Sequence, residues 1–453
     1  MKKERENFGS NFAVVMAMAG SAIGLGNIWR FPYIVGENGG AAFILIYLIA
    51  TLFIALPIFY AEAIIGKCSS SNTVKAIQTF ATNSKWHWPG LVTVISSILI
   101  LGFYSVVGGW SVHYLFKSLT FSFIHSDPNK TISYFGGYIS SSLKPLYGHF
   151  FFIAVMMIIT LAGVKKGIER FTKPTLPILM ILIVTIAIFS ISLPGAKEGV
   201  NYLIKPDFSK ITSKAIIDAL GQSFFSLSLG IGAILVYSSY MKKGQNLFSS
   251  GIGTAFFDVL FAIIAGFAIM PALFAAGGEP SSGPGLVFEA LPFIFNKMGE
   301  SIPTLSGIVS IIFFLSIFIA AITSAISLIE VGVAYLTEEK NMNRKKASMI
   351  LGAVGWIIGV ICSLSFGPLS HITIGGENFF GMLDNLCSNI LMPFGGLLFV
   401  TFAGWKMPKQ IVYDEFTNNG SIKANRIFYP IVRFLMRYIA PVAIIFIWLS
   451  IYI

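Results

Sequence analysis

Charged side chains are scarce in this sequence. Asp, Glu, Lys and Arg make up 11% of its 453 residues, whereas hydrophobic residues make up 55% and the mean hydropathy is +0.79. Soluble domains typically carry about 25% charged residues. The composition therefore excludes an ordinary soluble domain and indicates a polytopic membrane protein.

Cysteine and histidine are also rare. The three cysteines, Cys68, Cys362 and Cys387, lie in or beside apolar segments, so no disulfide framework is visible. The five histidines are scattered, and the sequence contains no His-Glu-x-x-His, Gly-x-Ser-x-Gly or paired-cysteine motif. We therefore expect that the protein is not an enzyme.

The net charge of +11 comes from Lys and Arg residues that cluster in short loops between apolar segments. Such a distribution sets membrane topology and does not indicate nucleic-acid binding. The basic loops lie on the same side as Lys2, Lys3 and Arg5, and the opposite loops mix fewer basic residues with acids. This bias predicts an integral membrane protein with a cytoplasmic N terminus. An odd number of spans then places the C terminus outside.

Eleven apolar segments are candidates for membrane spans, each of which takes about 20 residues of helix. We predict an all-α fold in which residues 1–453 form a single transmembrane domain. The predicted spans cover residues 12–36, 41–65, 88–120, 149–163, 174–194, 214–241, 247–276, 305–337, 346–365, 376–405 and 429–452.

Two of these spans are interrupted by residues that disfavour a helix in hydrocarbon. The first contains Gly24-Leu-Gly-Asn27, and the sixth contains Gly221-Gln-Ser-Phe-Phe-Ser-Leu-Ser-Leu-Gly-Ile-Gly232. Non-helical backbone at membrane depth is tolerated only where protein or a cavity satisfies it. The interruptions fall on the first helix of each of two five-span halves, residues 12–194 and 214–405, which must have opposite orientations because five is odd. This arrangement predicts a secondary transporter with its site near the bilayer midplane; the alternative is helix packing through small residues.

Unwound backbone offers free carbonyls to a cation and free amides to an anion, and the adjoining helix ends add dipole charge of suitable sign. A zwitterionic amino acid together with Na⁺ suits such a site. Apolar walls for a hydrophobic substrate side chain are available from Ile100, Phe225, Ile231 and Leu328.

The sequence Gly24-Leu-Gly-Asn-Ile-Trp-Arg-Phe-Pro32, followed by Glu37-Asn-Gly-Gly40, resembles the neurotransmitter:sodium symporter family, and most of all its eleven-span bacterial amino-acid transporters. The resemblance implies two inverted five-helix repeats with unwound spans 1 and 6, plus an eleventh helix at 429–452. It also implies sodium-coupled symport of an amino acid into the cell by alternating access. The similarity runs nearly end to end and recurs at Tyr104–Trp110, Lys166–Arg170, Phe225–Gly232, Tyr237–Tyr240, Gly283–Val287 and Thr323-Ser324.

The same resemblance implies a neutral hydrophobic or aromatic amino acid as substrate. Monoamine transporters of the family place an aspartate where this sequence has Gly24, so the backbone here is free to receive the substrate's own carboxylate. The implied substrate-binding residues are Ala22, Gly24, Leu25, Gly26, Ile100, Tyr104, Phe225, Ser226, Ser228, Ile231, Ser324 and Leu328.

Two sodium sites are implied in the same way, and hard oxygen ligands of this kind suit Na⁺. For Thr323 and Ser324 the alternative is ordinary hydrogen bonding between helices. The first site would use Ala22, Asn27, Ser226 and Asp258, and the second Gly20, Ile23, Ala320, Thr323 and Ser324.

Span 7 differs from many relatives because Asp258 stands where they carry an asparagine. In animal relatives a chloride ion supplies negative charge near the first sodium. Since Asp258 could supply that charge, we expect no chloride requirement. The alternative is that Asp258 pairs with a basic side chain, although no Lys or Arg lies within span 7.

Two gates are implied by the resemblance. Arg30 and Asp384 are expected to pair on the outer side, with Tyr104 and Phe225 covering the substrate. Arg5 and Glu338 are the candidates for the inner pair, and Phe8 replaces the tryptophan that is usual there.

Two alternatives remain open on the same fold. One is proton coupling through the intramembrane acids Asp258, Glu62 and Glu330, and the other is a non-transporting amino-acid sensor. The expected partners are a small-molecule amino acid and membrane lipid, and the sequence carries no signal for the oligomeric state.

Overall fold

The computed structural model describes residues 6–81, 85–122, 128–278, 287–299 and 302–450, and these residues are mostly helical. The helices of the first part of the chain are α1 (Asn11–Ala22), α2 (Phe31–Glu37), α3 (Ala41–Ala50), α4 (Leu56–Ser69), α5 (Thr73–Phe80), α6 (Trp88–Leu119), α7 (Pro128–Ile139), α8 (Lys144–Leu161), α9 (Arg170–Ser192) and α10 (Lys197–Ile204).

The second part continues with α11 (Ser213–Ser226), α12 (Ala233–Ser238), α13 (Leu247–Ala275), α14 (Ala290–Gly299), α15 (Pro303–Glu339), α16 (Arg344–Leu364), α17 (Phe379–Asn385), α18 (Met392–Thr401), α19 (Lys409–Thr417), α20 (Lys423–Phe434) and α21 (Ala440–Ser450). A short antiparallel hairpin pairs β1 (Thr373–Ile374) with β2 (Glu377–Asn378). Short 3-10 turns lie at Lys85–His87 and Phe208–Lys210, and π-helical segments at Gly26–Arg30, Thr51–Ala55, Val164–Glu169, Leu386–Leu391, Phe402–Lys406 and Leu435–Ile439.

Nine helices within the described ranges are long and apolar enough to cross a membrane. A further pair, Asn11–Ala22 and Gly26–Glu37, meets the same criteria as one span that is bent by 52°. The predicted sixth span is present as α11 and α12, separated by residues 227–232. Each predicted span therefore has a helical counterpart, and the all-α membrane fold is confirmed.

Three predicted spans begin later than the helices that correspond to them. The observed helix begins at Lys144 for the fourth span, at Val164 for the fifth and at Lys423 for the eleventh. The predicted starts were residues 149, 174 and 429. The prediction stopped where the apolar run stops, whereas a helix can continue into the interface because Lys and Arg side chains reach towards water. The helices therefore extend beyond the apolar runs that define the predicted spans.

The breaks in the first and sixth spans coincide with the predicted glycine clusters. In the sixth span, Ser228, Gly230 and Gly232 have positive φ values of 52°, 81° and 77°. Glycine adopts such values without steric cost. A Cβ at Gly230 would also overlap the carbonyl oxygen of Met392, so α18 approaches this break closely.

Close packing at small residues holds the helices that carry the predicted site. α15 packs along α6, and α1 contacts α13, α9 and α15. At one crossing of α6 with α8, a Cβ on Gly109 would overlap the backbone of His149, and a Cβ on Gly148 would overlap the Gly109 carbonyl. Small residues allow membrane helices to approach at this distance. The breaks are thus surrounded by α6, α13 and α15.

We predict opposite effects for two glycine substitutions in the sixth span. Gly230→Ala should destabilise the protein by about 1–3 kcal/mol, because the new methyl group overlaps the Met392 carbonyl. Gly221→Ala is the matched control: it lies in α11, nothing lies within 4 Å of its Cβ position, and alanine favours a helix over glycine by up to about 1 kcal/mol. Thermal unfolding in detergent measures both variants, and equal melting temperatures would contradict the packing described.

Candidate functional site

The two breaks meet, and each supplies hydrogen-bond partners to the other. Ser228 donates a hydrogen bond from Oγ to the carbonyl of Ser21 (2.9 Å), at the end of α1. The Gln222 side-chain amide donates to the carbonyl of Gly26 (3.0 Å). A third helix takes part, because the amide N–H of Leu25 donates to the hydroxyl of Tyr104 on α6 (3.1 Å). Backbone groups released by the breaks are therefore partly satisfied inside the protein, as their membrane depth requires.

A cavity lies between the breaks. Ten of the twelve predicted substrate-binding residues line it. Of the other two, Leu25 borders an adjoining cavity and Ser226 is directed to Asp258. Met392 also lines the cavity and was missed, because a methionine in an apolar span carries no signal beyond packing. The lining residues are Ala22, Gly24, Gly26, Ile100, Tyr104, Phe225, Ser228, Ile231, Ser324, Leu328 and Met392.

The cavity has a polar end and apolar walls. A Cβ on Gly24 would lie 2.7 Å from the Tyr104 hydroxyl and would overlap Ser324 Oγ, and a Cβ on Gly26 would lie 2.9 Å from the Phe225 ring. Glycine at both positions therefore keeps backbone accessible beside two hydroxyl groups. The opposite walls are the side chains of Ile100, Phe225, Ile231, Leu328 and Met392. None of the lining residues is charged.

Asn27, Ser226 and Asp258, predicted for the first sodium site, form one buried cluster. The Asn27 amide donates to Asp258 Oδ1 (2.7 Å) and to Ser226 Oγ (3.1 Å). Ser226 Oγ lies 2.9 and 2.7 Å from the two Asp258 carboxylate oxygens. No Lys or Arg among the described residues forms an ion pair with Asp258. A buried carboxylate without a basic partner suits a bound cation.

Two further residues at this cluster were missed. The hydroxyl of Tyr47 on α3 lies 3.3 Å from both Asp258 Oδ2 and Ser226 Oγ. Thr254, four residues before Asp258 on α13, is fully buried, and its hydroxyl has no hydrogen-bond partner. A single tyrosine within the apolar run Ile44–Ile49, and a threonine one turn from the key carboxylate, were the signals that could have indicated them.

The residues predicted for the second sodium site also lie together. Ser324 Oγ is 3.0 Å from the Ser21 carbonyl, 3.3 Å from that of Ile23 and 3.5 Å from that of Gly20. Thr323 Oγ1 is 2.9 Å from the Ala320 carbonyl and 3.5 Å from that of Ile23. Neutral oxygen atoms from the broken end of α1 and from α15 thus converge. Such a donor set fits an alkali cation.

A second cavity adjoins the first, and Tyr104 and Phe225 line both. Arg30 and Asp384 line this second cavity, yet no ion pair joins them within 4.0 Å. The Arg30 guanidinium lies over the Phe225 ring at 4.7 Å, and Asp384 accepts a hydrogen bond from Ser388 (2.9 Å). The expected outer pairing is therefore absent from this conformation. Phe225 also borders a third cavity, between α11, α18 and α21.

The N-terminal segment packs against α12 and the turn that follows it. Phe8 is fully buried, and its ring meets those of Tyr237 (5.9 Å) and Tyr240 (6.1 Å) edge to face. The carboxylate of Glu6 accepts hydrogen bonds from the amides of Val164 (2.6 Å) and Lys165 (3.2 Å). These contacts fasten the segment to the start of the fifth span.

Of the two residues predicted to form the inner pair, the structure describes Glu338, whereas Arg5 lies outside the described residues. Glu338 accepts hydrogen bonds from the backbone amide (2.8 Å) and the side-chain amide (3.1 Å) of Asn72. It therefore contacts the N-terminal end of α5.

The two other intramembrane acids have structural partners. Glu62 Oε1 accepts a hydrogen bond from the Gly230 amide in the break of the sixth span (2.6 Å). Glu330 forms an ion pair with Arg344 (2.6 Å) and accepts from the Tyr240 hydroxyl (2.7 Å). Glu330 is thus held by a basic partner and a hydroxyl donor inside the protein.

Broken helices that enclose an uncharged cavity beside two groups of oxygen ligands define a membrane transporter for a small solute. Comparison with known proteins specifies it further. The model of the sodium:neurotransmitter symporter family matches residues 5–134 and 143–453. The chain belongs to this family, which consists of transporters and not of enzymes.

Relatives agree with this assignment over nearly the whole chain. The sodium-dependent transporter YhdH of Bacillus subtilis is 37% identical, over 97% of this chain and 96% of the relative. The sodium-dependent serotonin transporter of Drosophila melanogaster is 29% identical, over 88% of this chain and 69% of that protein. The crystal structure of MhsT in complex with L-phenylalanine superposes with a TM-score of 0.90 at 39% identity, covering 99% of this chain and all of MhsT.

We predict that Asn27→Ala and Thr323→Ala each abolish Na⁺-dependent uptake, because they remove ligands from two different oxygen clusters. Uptake by proteoliposomes over a range of Na⁺ concentrations measures the effect. Thr337→Ala is the matched control on α15, since the Thr337 hydroxyl bonds only to carbonyls of its own helix, Val333 (2.8 Å) and Ala334 (3.1 Å). Correctly inserted Asn27 and Thr323 variants with unchanged sodium dependence would overturn both assignments.

Proposed function

We propose that this protein imports a neutral hydrophobic or aromatic amino acid by sodium-coupled symport with alternating access. The observation that carries the proposal is the cavity between the breaks. It combines accessible backbone at Gly24 and Gly26 with apolar walls, and its lining residues include no charged side chain. An amino acid brings its own carboxylate and ammonium groups, which backbone amides and carbonyls at helix ends can bind.

The absence of an acidic residue from the cavity lining argues against a monoamine substrate. A monoamine carries a positive charge without a carboxylate, and a buried charge needs a partner. Asp258 does not line the cavity, since its carboxylate is engaged with Asn27 and Ser226. The complex of MhsT with L-phenylalanine supports an aromatic amino acid for this chain as well.

Two Na⁺ ions are proposed to bind at the clusters described. The first would be held by the Ala22 carbonyl, Asn27, Ser226 and Asp258, with Thr254 as an additional hydroxyl ligand. The second would be held by the carbonyls of Gly20, Ile23 and Ala320 and by the hydroxyls of Thr323 and Ser324. Because both clusters use residues at the end of α1, ion binding and the geometry of the break are linked.

The proposal includes the architecture and the orientation. Residues 12–194 and 214–405 form two inverted halves, whose first helices are the broken ones, and 429–452 is an added helix. The basic loops lie in the cytoplasm together with the N terminus, and the C terminus lies outside the bacterial cytoplasmic membrane. The side at Phe8 is then the cytoplasmic side, and the cavity with Arg30 and Asp384 faces outwards.

The experiment that tests this function is uptake of radiolabelled amino acids by proteoliposomes. We expect uptake of phenylalanine, leucine, tyrosine or tryptophan driven by an inward Na⁺ gradient, and its loss when choline replaces sodium at fixed pH. Dopamine and serotonin should neither be transported nor compete. Uptake that follows a proton gradient in choline would favour proton coupling. Sodium-dependent binding without uptake would favour a sensor, and preference for a monoamine would refute the substrate class.

A separate prediction concerns Asp258 and chloride. Two unit charges about 4 Å apart interact by about 4 kcal/mol at an effective dielectric constant of 20, so a fixed carboxylate can replace a mobile anion beside the first Na⁺. Wild-type uptake should be unchanged when gluconate replaces chloride. Asp258→Asn should weaken Na⁺ binding at least tenfold and can create a chloride requirement.

Sodium titrations of uptake, with and without chloride, measure this effect. Asp207→Asn is the control, because it removes a carboxylate from an exposed loop. Chloride-dependent uptake by the wild type would contradict the proposed role of Asp258. An Asp258→Asn variant with unaltered sodium affinity would contradict it as well.

A further inference from the structure

An arginine of the eleventh span is held between two exposed aromatic rings. The guanidinium carbon of Arg437 lies 4.2 Å from the centre of the Trp405 ring and 5.7 Å from that of Tyr438. The Trp405 indole donates a hydrogen bond to the Arg437 carbonyl (3.1 Å), which fixes the tenth span to the eleventh. We call Trp405, Arg433, Arg437 and Tyr438 the Arg437 surface.

The Arg437 surface adjoins the uncharged part of the eleventh span. Arg437 is the last charged residue of the sequence, and the following stretch from Tyr438 onwards is uncharged. Trp405 directly precedes Lys406, the last residue of the tenth span. Trp405 and Tyr438 are 55% and 45% exposed, as residues at a membrane interface are. This surface therefore faces lipid on the basic side of the protein.

The cations of the Arg437 surface have no acidic partner among the described residues. Neither Arg433 nor Arg437 takes part in an ion pair there. Arg433 donates a hydrogen bond to the Tyr429 hydroxyl (2.9 Å). Among the described residues, the two cations of the Arg437 surface therefore have no negatively charged group to pair with.

We propose that the Arg437 surface binds the phosphodiester headgroup of an anionic phospholipid, with phosphatidylglycerol as the representative ligand. A planar guanidinium presents paired donors that match phosphate oxygens. Arg433, four residues earlier on the same helix, adds a second cation. The rings of Trp405 and Tyr438 hold Arg437 in place, and the exposed side chain of Val442 lies where an acyl chain would run.

A phospholipid fits this surface better than free phosphate. The surroundings of Arg437 are aromatic and apolar and face the bilayer, so a dissolved anion would lose hydration there without gaining further partners. A lipid brings its phosphate to this level together with chains that cover the apolar residues. The site does not use the substrate cavity, and lipid binding is therefore independent of the proposed transport.

Native mass spectrometry of the full-length protein in neutral detergent tests the proposal. Phosphatidylglycerol and phosphatidylcholine with identical acyl chains are titrated, and we expect the wild type to bind phosphatidylglycerol at least fivefold more tightly. Arg437→Gln should reduce this preference about fivefold, which corresponds to about 1 kcal/mol. Lys345→Gln is the control, because it removes an exposed cation at the start of α16 on the same side.

Phenylalanine binding by each variant reports the state of the fold separately. If Arg437→Gln does not fold, Arg433→Gln takes its place with the same expected loss. The proposal is overturned if the wild type does not discriminate between the lipids, if the arginine variant retains the full preference, or if Lys345→Gln lowers it equally. It is also overturned if inorganic phosphate displaces the lipid at equal concentration, since the surface would then be a site for free anions.

Discussion

Backbone amides and carbonyls need hydrogen-bond partners wherever water is absent, and the centre of this protein depends on that requirement. Two helices give up their internal hydrogen bonds at the same depth, which would be costly for either of them alone. Ser228 and Gln222 of one broken span bond to carbonyls of the other, and Tyr104 and Glu62 accept the amides of Leu25 and Gly230. Each break is therefore stable only in the presence of its neighbours.

The polar groups that take no part in these hydrogen bonds between the breaks define what the site can bind. The carboxylate of Asp258 receives neutral donors but no basic side chain, and the carbonyls at the end of α1 face hydroxyls of α15. Both arrangements leave excess negative potential beside an uncharged cavity. A cation is the natural complement, and it would strengthen the hold on a carboxylate in that cavity. Coupling between ion and solute then follows from electrostatics.

Local residue chemistry made much of this predictable. Glycine clusters in apolar spans indicated the breaks, and the family resemblance implied most of the residues that line the cavity between them. Met392 was not predictable, because its place depends on how closely α18 approaches Gly230. The separation of Arg30 from Asp384 depends on which conformation is adopted. The start of the fifth span was misplaced because Pro174 lies within a helix that begins earlier.

Phe225 borders three cavities of the described part of the chain: the central one, the one lined by Arg30 and Asp384, and the one between α11, α18 and α21. Their volumes are therefore not independent: when this ring turns, space lost from one compartment is gained by another. The upper limit on the size of a bound solute is set at this wall by a rotatable side chain and not by fixed backbone. A bulkier solute would displace the Phe225 ring into the cavity that Arg30 and Asp384 line. The Arg30 guanidinium, which lies over the ring, would move with the ring. The size limit on the solute and the closure of the entrance would then both depend on the Phe225 side chain.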